Sequence, residues 1–349
     1  MVKKAENIIV GISVGDLNGI GSEVILKTFE DIRMLELCTP VIFANVKILS
    51  FLKKEFNLAA AIHGIDKLDQ LVVGKINVLN VWREGVNLEF GKNDDVVGGY
   101  AVKSFIAATN ALKDGFVDVL VTAPINKYNI QSDDFKFPGH TDYLNKELTG
   151  DALMLMVHDD LRVGLLTDHV PVNEVAKNLT ERLILSKIQT VIKTLKQDFE
   201  IEKPKIAVLG LNPHSGDNGV IGDEEEKIMK PALKKLFEAG NLVFGPFSAD
   251  GFFGSSQYEK YDAVIATYHD QGLIPFKTLS FGTGVNYTAG LDKIRTSPDH
   301  GTAYEIAGKG IANHESFKEA VYLAIDIYNK RNDYQELTKN PLKTKDKQL

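Results

Sequence analysis

The 349-residue chain holds a single cysteine, Cys38, a single tryptophan, and no apolar run long enough to cross a bilayer. A lone thiol excludes an intramolecular disulfide framework and any thiolate metal cluster, and it suits a reducing compartment. Positive charge is not in excess: 40 Lys and Arg face 47 Asp and Glu, the signs intermixed, for a net charge of −7. A nucleic-acid-binding surface is therefore not indicated. Low-complexity blocks and fixed-period repeats are missing, as are G-x-G-x-x-G and the Walker loop. The first apolar segment, "IIVGISV", runs straight into a glycine-rich turn with no small-residue cleavage site, so it reads as a first strand of a cytoplasmic protein. Small molecules are the expected partners, with neither nucleic acid nor membrane.

What is present is an alternation of short β-rich apolar runs with amphipathic segments, the pattern of βαβ units and a largely parallel sheet. Nine runs read as strands: "NIIVGISV", "PVIFAN", "INVLNV", "VDVLVTA", "ALMLMV", "RVGLLT", "KIAVLGL", "LVFGPF" and "DAVIATY". "VHDDLR" between two of them predicts a hairpin and hence a mixed sheet around residues 152–167. Apolar residues recurring at helical spacing predict helices over about 98–113 and 181–199. The polar, basic tail after about Asn329 is expected to fray.

Three histidines, His169, His214 and His269, each follow one of these strands by two or three residues, after "VGLLT", "IAVLGL" and "AVIAT". Open α/β sheets gather ligand groups at such positions, so the repetition points to a metal site. Their separations of 45 and 55 residues carry no local motif; only the fold could unite them.

Other segments bear chemistry less distinctly. "VGDLNGIGSEV" places Gly15, Gly19 and Gly21 between strand and helix, where backbone N–H groups could face an anion, although a plain βα turn explains it as well. Asp16 and Asn18 could line a cleft there. "FPGHTDYL" sets His140 and Thr141 at a helix start, as donors to an anion or as a simple cap and surface residue. Asp250, Asp270 and Lys277 lie in stretches apolar enough to be partly buried; the carboxylates could orient imidazoles or move protons, or Asp270 could pair with Lys277. Residues 281–313 form the densest polar and glycine-rich stretch, with Asn286 and Arg295 suited to phosphate or carboxylate and the glycines read as tight turns against a ligand.

Taken together, "GDLNGIGSE", "VTAPINK", "PGHTDYL", "LNPHSGDNG", "DGFF", "YHDQGLIPFK" and "GVNYTAGLDKIRTSPDHGTAYEIAGKG" resemble the 4-hydroxythreonine-4-phosphate dehydrogenase family of pyridoxal phosphate (vitamin B6) biosynthesis, over nearly the whole chain. The resemblance implies two α/β/α domains with mixed, largely parallel sheets, of the isocitrate/isopropylmalate dehydrogenase type, with the cleft between them. Residues 1–125 plus 272–349 would form the cofactor-side domain, and 126–271 the metal-binding and dimerisation domain. It implies a divalent metal on His169, His214 and His269, with ligands drawn from both subunits of a homodimer; zinc is foremost, with cobalt, nickel or magnesium as alternatives. It implies substrate contacts from His140, Thr141, Lys277, Asn286 and Arg295, and upkeep of the site by Asp250 and Asp270. "DHGTAYEIAGKG", with Asp299, His300, Gly301 and Thr302, looks like the adenine-side loop that binds NAD, or NADP, without a Rossmann fingerprint.

The activity so implied is NAD-dependent oxidation of 4-phosphooxy-L-threonine at C3, followed by decarboxylation to 3-amino-2-oxopropyl phosphate. The base that accepts the hydroxyl proton is open among Asp270, Lys277 and a water relay. Three other activities compete: a dehydrogenase of the same fold acting on a phosphorylated four-carbon sugar acid, a metal-dependent hydrolase of a phosphorylated substrate, and a phosphate acyltransferase of related fold, which would leave the three strand-end histidines without a purpose.

Overall fold

The computed structural model describes residues 7–133 and 135–340. Among them twelve strands form: β1 (Ile8–Ser13), β2 (Cys38–Ala44), β3 (Ile62–Ile65), β4 (Ile76–Asn80), β5 (Val119–Thr122), β6 (Gly150–His158), β7 (Leu161–Leu165), β8 (Lys205–Leu209), β9 (Leu242–Phe247), β10 (Ala263–Ala266), β11 (Val285–Leu291) and β12 (Ile294–Pro298). Nine coincide with the predicted runs. All join one sheet in the order β3-β4-β2-β1-β5-β12-β11-β6-β7-β10-β8-β9. The expected mixed, largely parallel α/β architecture is thus realised with the two groups of strands hydrogen-bonded edge to edge rather than as separate sheets.

The pairing directions locate the functional region. β1–β6 and β12 run one way and β7–β11 the other, so antiparallel pairs occur only at β12–β11, β11–β6 and the predicted β6–β7 hairpin. Parallel ladders flank this seam on both sides. β7, β10 and β8 are adjacent and parallel, so the three segments bearing His169, His269 and His214 leave the sheet from the same edge.

Two helices follow their predicted spans closely because local chemistry and burial agree. Glu181–Asp198 is opened by Thr180, whose side chain accepts from Leu183 N, and it buries Ile184, Ile188, Val191, Ile192 and Leu195. Asp95–Lys113 starts three residues before the apolar pattern suggested, because Asp94 accepts from Val96 N and Val97 N; a cap of this kind contributes about 1 kcal/mol.

Two expectations need correction. The stretch 281–313 is not a run of ligand-facing turns: its first half is the β11–β12 hairpin at the centre of the sheet, with Tyr287 and Thr296 fully buried. Polar residues on the hairpin's other face had masked the strand periodicity. Several of its glycines press on protein; a Cβ on Gly290 would lie 2.2 Å from Asp151 O, and one on Gly308 2.5 Å from Phe90. The tail does not fray at Asn329, since one helix spans Glu315–Thr338. Buried Arg331 anchors it, donating to Asp198 at 2.9 Å and to the carbonyls of Leu291 and Asp292. The remainder of the expected fraying tail, 341–349, lies outside the described residues.

Candidate active site

A cavity of about 310 Å³ opens over the antiparallel seam. Its floor is a row of side chains from one face of β6, β11 and β12: Met154, Met156, Asn286, Arg295 and Ser297. The walls come from the segment after β5, the helix His140–Glu147, the loops carrying His169 and His269, and residues 299–301. Of the residues expected at the site, His140, Thr141, His169, His269, Lys277, Asn286, Arg295, Asp299, His300 and Gly301 all line this one cavity, while His214, Asp250, Asp270 and Thr302 do not.

Arg295 is the chemical centre of the floor. It is buried, and no carboxylate lies within ion-pair distance among the described residues. Its Nε donates to Thr122 Oγ1 at 3.0 Å, one terminal nitrogen to Thr288 Oγ1 at 3.0 Å, and the other to Thr122 Oγ1 at 2.5 Å and to His140 Nδ1 at 3.0 Å. Four of its five N–H groups are therefore engaged by the protein, leaving one N–H and the whole positive charge for a ligand. Burial pushes its pKa down to about 9, so it remains charged at neutral pH. A buried cation without a counter-ion is costly unless something anionic arrives.

The same contact sets His140. A guanidinium only donates, so Nδ1 must accept and Nε2 must carry the ring proton. Burial, then the charges of Arg295 and Lys127, hold the imidazole well below the usual histidine range and keep it neutral. Its Nε2 is buried without a partner, as are Asn286 Oδ1 and His300 Nε2. Three unpaired polar atoms on the walls and floor of one cavity are thus available to a polar ligand. His140 also begins an eight-residue helix whose first turn has no side-chain cap, which adds N–H groups to this receptor.

Farther along the cavity, His169 and His269 face each other with ring centroids 6.1 Å apart. Burial chiefly, then Lys127, lowers the His169 pKa, which favours the neutral, ligand-competent form. His269 Nδ1 lies 2.7 Å from Asp270 Oδ1, an arrangement that directs Nε2 outward as in carboxylate-oriented metal ligands. Asp270 thus pairs with His269 and not with Lys277, whose ammonium donates to Asp299 O at 2.9 Å. Asp250, Asp270 and Lys277 are exposed, contrary to the partial burial inferred from their apolar surroundings.

His214 stands elsewhere. It is exposed and begins six consecutive residues with positive φ, His214 to Gly219. Four of these are not glycine, a conformation costing on the order of 1 kcal/mol per residue. Asn212 holds the loop in place, its backbone N donating to Glu225 Oε1 at 2.7 Å and its amide to Glu224 at 2.7 Å. The Asp250 pKa is lowered, mainly by its hydrogen bond from Ser248, with a lesser contribution from His214. Among the described residues no three of His, Cys, Asp and Glu come close enough to share a metal ion. The donor chemistry of His169 and His269 fits two ligands of a divalent metal.

The first glycine turn proves structural. Gly15 has φ +66° and a Cβ there would sit 2.2 Å from Pro124 O; one on Gly19 would meet Thr302 O at 2.8 Å. Asp16 and Asn18 are fully buried rather than lining a cleft, and Asp16 accepts from Asn18 N, Asn129 Nδ2 and Tyr304 Oη. The turn clasps the segment after β5 to the loop after β12. Sequence reading missed Thr122 and Lys127 as site residues; Thr122 ends β5 and Lys127 lies five residues on, and the place of "VTAPINK" among the family-like segments was the available signal.

A mixed α/β sheet with an anion receptor on its face and an imidazole pair beside it defines an enzyme cleft for a negatively charged metabolite. More particularly, the chain belongs to the family of the pyridoxal phosphate biosynthetic protein PdxA, whose family model matches residues 36–324. It is 46% identical over 336 residues to the 4-hydroxythreonine-4-phosphate dehydrogenase of Bacteroides thetaiotaomicron, covering 96% of this chain and 92% of that protein. It is also 36% identical to the D-threonate 4-phosphate dehydrogenase of Cupriavidus necator, covering 93% and 98%. The crystal structure of 4-hydroxythreonine-4-phosphate dehydrogenase from Klebsiella pneumoniae matches with a TM-score of 0.79 at 33% identity, covering 93% of this chain and 99% of that one.

Proposed function

We propose that this chain oxidises 4-phosphooxy-L-threonine at C3 with NAD and a divalent metal, and that the product loses carbon dioxide to give 3-amino-2-oxopropyl phosphate in pyridoxal phosphate biosynthesis. The observation that carries this reading is the buried, carboxylate-free guanidinium of Arg295 in the same cavity as the paired imidazoles. Arg295, the Nε2–H of His140 and the helix start at Thr141 bind the phosphate and thereby hold C3 in register. Asn286 Oδ1 accepts from a donor on the substrate, and Lys277 adds a cation at the rim. Residues 1–125 with 272–349, and 126–271, are the two parts between which the cleft is set.

His169 and His269 of one copy, with His214 supplied by a second copy, are the proposed metal ligands. The exposure and strained presentation of His214, away from the other two, support a shared site in a homodimer. Zinc suits three imidazoles best. His300 Nδ1 lies 3.0 Å from Gly301 O and so donates, leaving Nε2 as a buried acceptor on the loop proposed to receive NAD. When bound, the metal would stabilise negative charge developing on the substrate oxygen, and the nicotinamide would accept hydride from C3.

The test is to follow NADH formation with 4-phosphooxy-L-threonine and with D-threonate 4-phosphate, before and after chelation. Chelator-sensitive turnover of the first substrate is the expected result. Turnover of the sugar acid alone would transfer the assignment to the activity named for the Cupriavidus relative. Phosphate release without NADH would replace the dehydrogenase by a hydrolase.

A further inference from the structure

Lys127 has so far been given no group of the substrate to bind, yet it lines the same cavity as Arg295, His140 and the imidazole pair. Its Nζ lies 3.5 Å from His169 Nε2, and its Cε is 3.9 Å from where a Cβ would stand on Gly139, directly before His140. Its ammonium has no carboxylate within ion-pair distance among the described residues; the polar group it meets is an imidazole lone pair, a weak partner for a full charge.

The root of this side chain is held firmly. Asn126 Oδ1 accepts from Tyr128 N at 2.9 Å, Asn126 Nδ2 donates to Tyr304 Oη at 3.1 Å, and Asn129 Nδ2 donates to buried Asp16 at 2.8 Å. Gln131 Nε2 donates to Lys127 O itself at 3.1 Å. A fixed backbone thus presents a flexible stem with an unpaired cation beside the imidazole pair.

We infer that Lys127 binds the carboxylate of the substrate and makes the enzyme selective for substrates that carry one. The inference rests on the substrate proposed above: that molecule has two anionic groups, and the phosphate already has its receptor in Arg295, His140 and the uncapped helix start. The remaining unpaired cation stands at the end of the cavity where the imidazoles face, which is where the reacting carbons and the adjoining carboxylate belong.

The experiment compares two ligands by isothermal titration calorimetry on zinc-loaded protein, repeated after chelation. These are 4-phosphooxy-L-threonine and 3-amino-2-hydroxypropyl phosphate, which keeps the phosphate, hydroxyl and amine but lacks the carboxylate. Lys127→Ala should weaken the first by roughly 10- to 100-fold, the worth of one charge-assisted hydrogen bond, and leave the second within about twofold. Lys127→Arg should recover part of the loss. Equal weakening of both ligands, or of neither, would overturn the role of Lys127 while leaving the substrate assignment intact. Failure of the wild-type protein to bind either ligand would overturn the substrate assignment and this inference with it.

Discussion

Replacing Arg295 by methionine separates binding from stability in a way the structure makes quantitative. The guanidinium is fully buried and its pKa is pushed down to about 9, far below an ordinary arginine, by loss of water. That depression corresponds to a destabilisation on the order of 4–5 kcal/mol, carried in full at pH 7 because the group is charged in both folded and unfolded chains. Against it stand the hydrogen bonds to Thr122, Thr288 and His140. At about 1 kcal/mol for each of the four bonds, with a further 1–2 kcal/mol for stranding His140 Nδ1, they sum to roughly 5–6 kcal/mol. Methionine removes both contributions and keeps most of the volume, so the unliganded Arg295→Met variant should unfold in urea within about 2 kcal/mol of wild type. Its affinity for 4-phosphooxy-L-threonine should fall roughly 100-fold, since the charge and the one free N–H are lost together. A variant that loses more than about 3 kcal/mol of stability yet binds the ligand normally would show the guanidinium to be a structural strut and refute this reasoning.

Further outcomes follow from other parts of the molecule. If His214 completes the metal site across a dimer, His169→Ala and His214→Ala subunits are each inactive, and mixing them restores about a quarter of wild-type activity, since half the reassociated dimers are mixed and each has one intact site of two; no recovery on mixing would mean one subunit supplies all three ligands. His140 is held neutral by burial and by Arg295, so the unfolded chain binds more protons than the folded one below about pH 6.5. Wild type should therefore lose up to about 1.4 kcal/mol per pH unit on acidification through this group, and His140→Asn should show a shallower loss in urea titrations between pH 7 and pH 5. Gly15→Ala places a Cβ 2.2 Å from a backbone oxygen at φ +66°, so the variant should lose about 3 kcal/mol or more of stability in chemical denaturation.

How much of this was legible without coordinates depended on how local each signal was. The β6–β7 hairpin announced itself because "VHDDLR" is a turn between two apolar runs, and the helix Glu181–Asp198 because its apolar residues keep helical spacing. β11 and β12 stayed hidden because Asn286, Thr288, Arg295 and Ser297 take alternate positions that in most strands are apolar; three of them pave the cavity and Thr288 holds Arg295. Lys127 carried no local signal at all, since a lysine after a strand is ordinary until its neighbours are known.

Residue types and their order along the chain determined the α/β class, nine strands and the chemical identity of the groups in the cleft, because hydrophobic periodicity and turn chemistry act over a few residues. Tertiary structure alone decided that Arg295 is buried without a counter-ion, that His140 presents Nε2–H to the cavity, and that His169 and His269 meet while His214 stands apart. Burial and charge compensation depend on groups more than a hundred residues distant, such as Thr122 against Arg295, and only the closed sheet sets those distances.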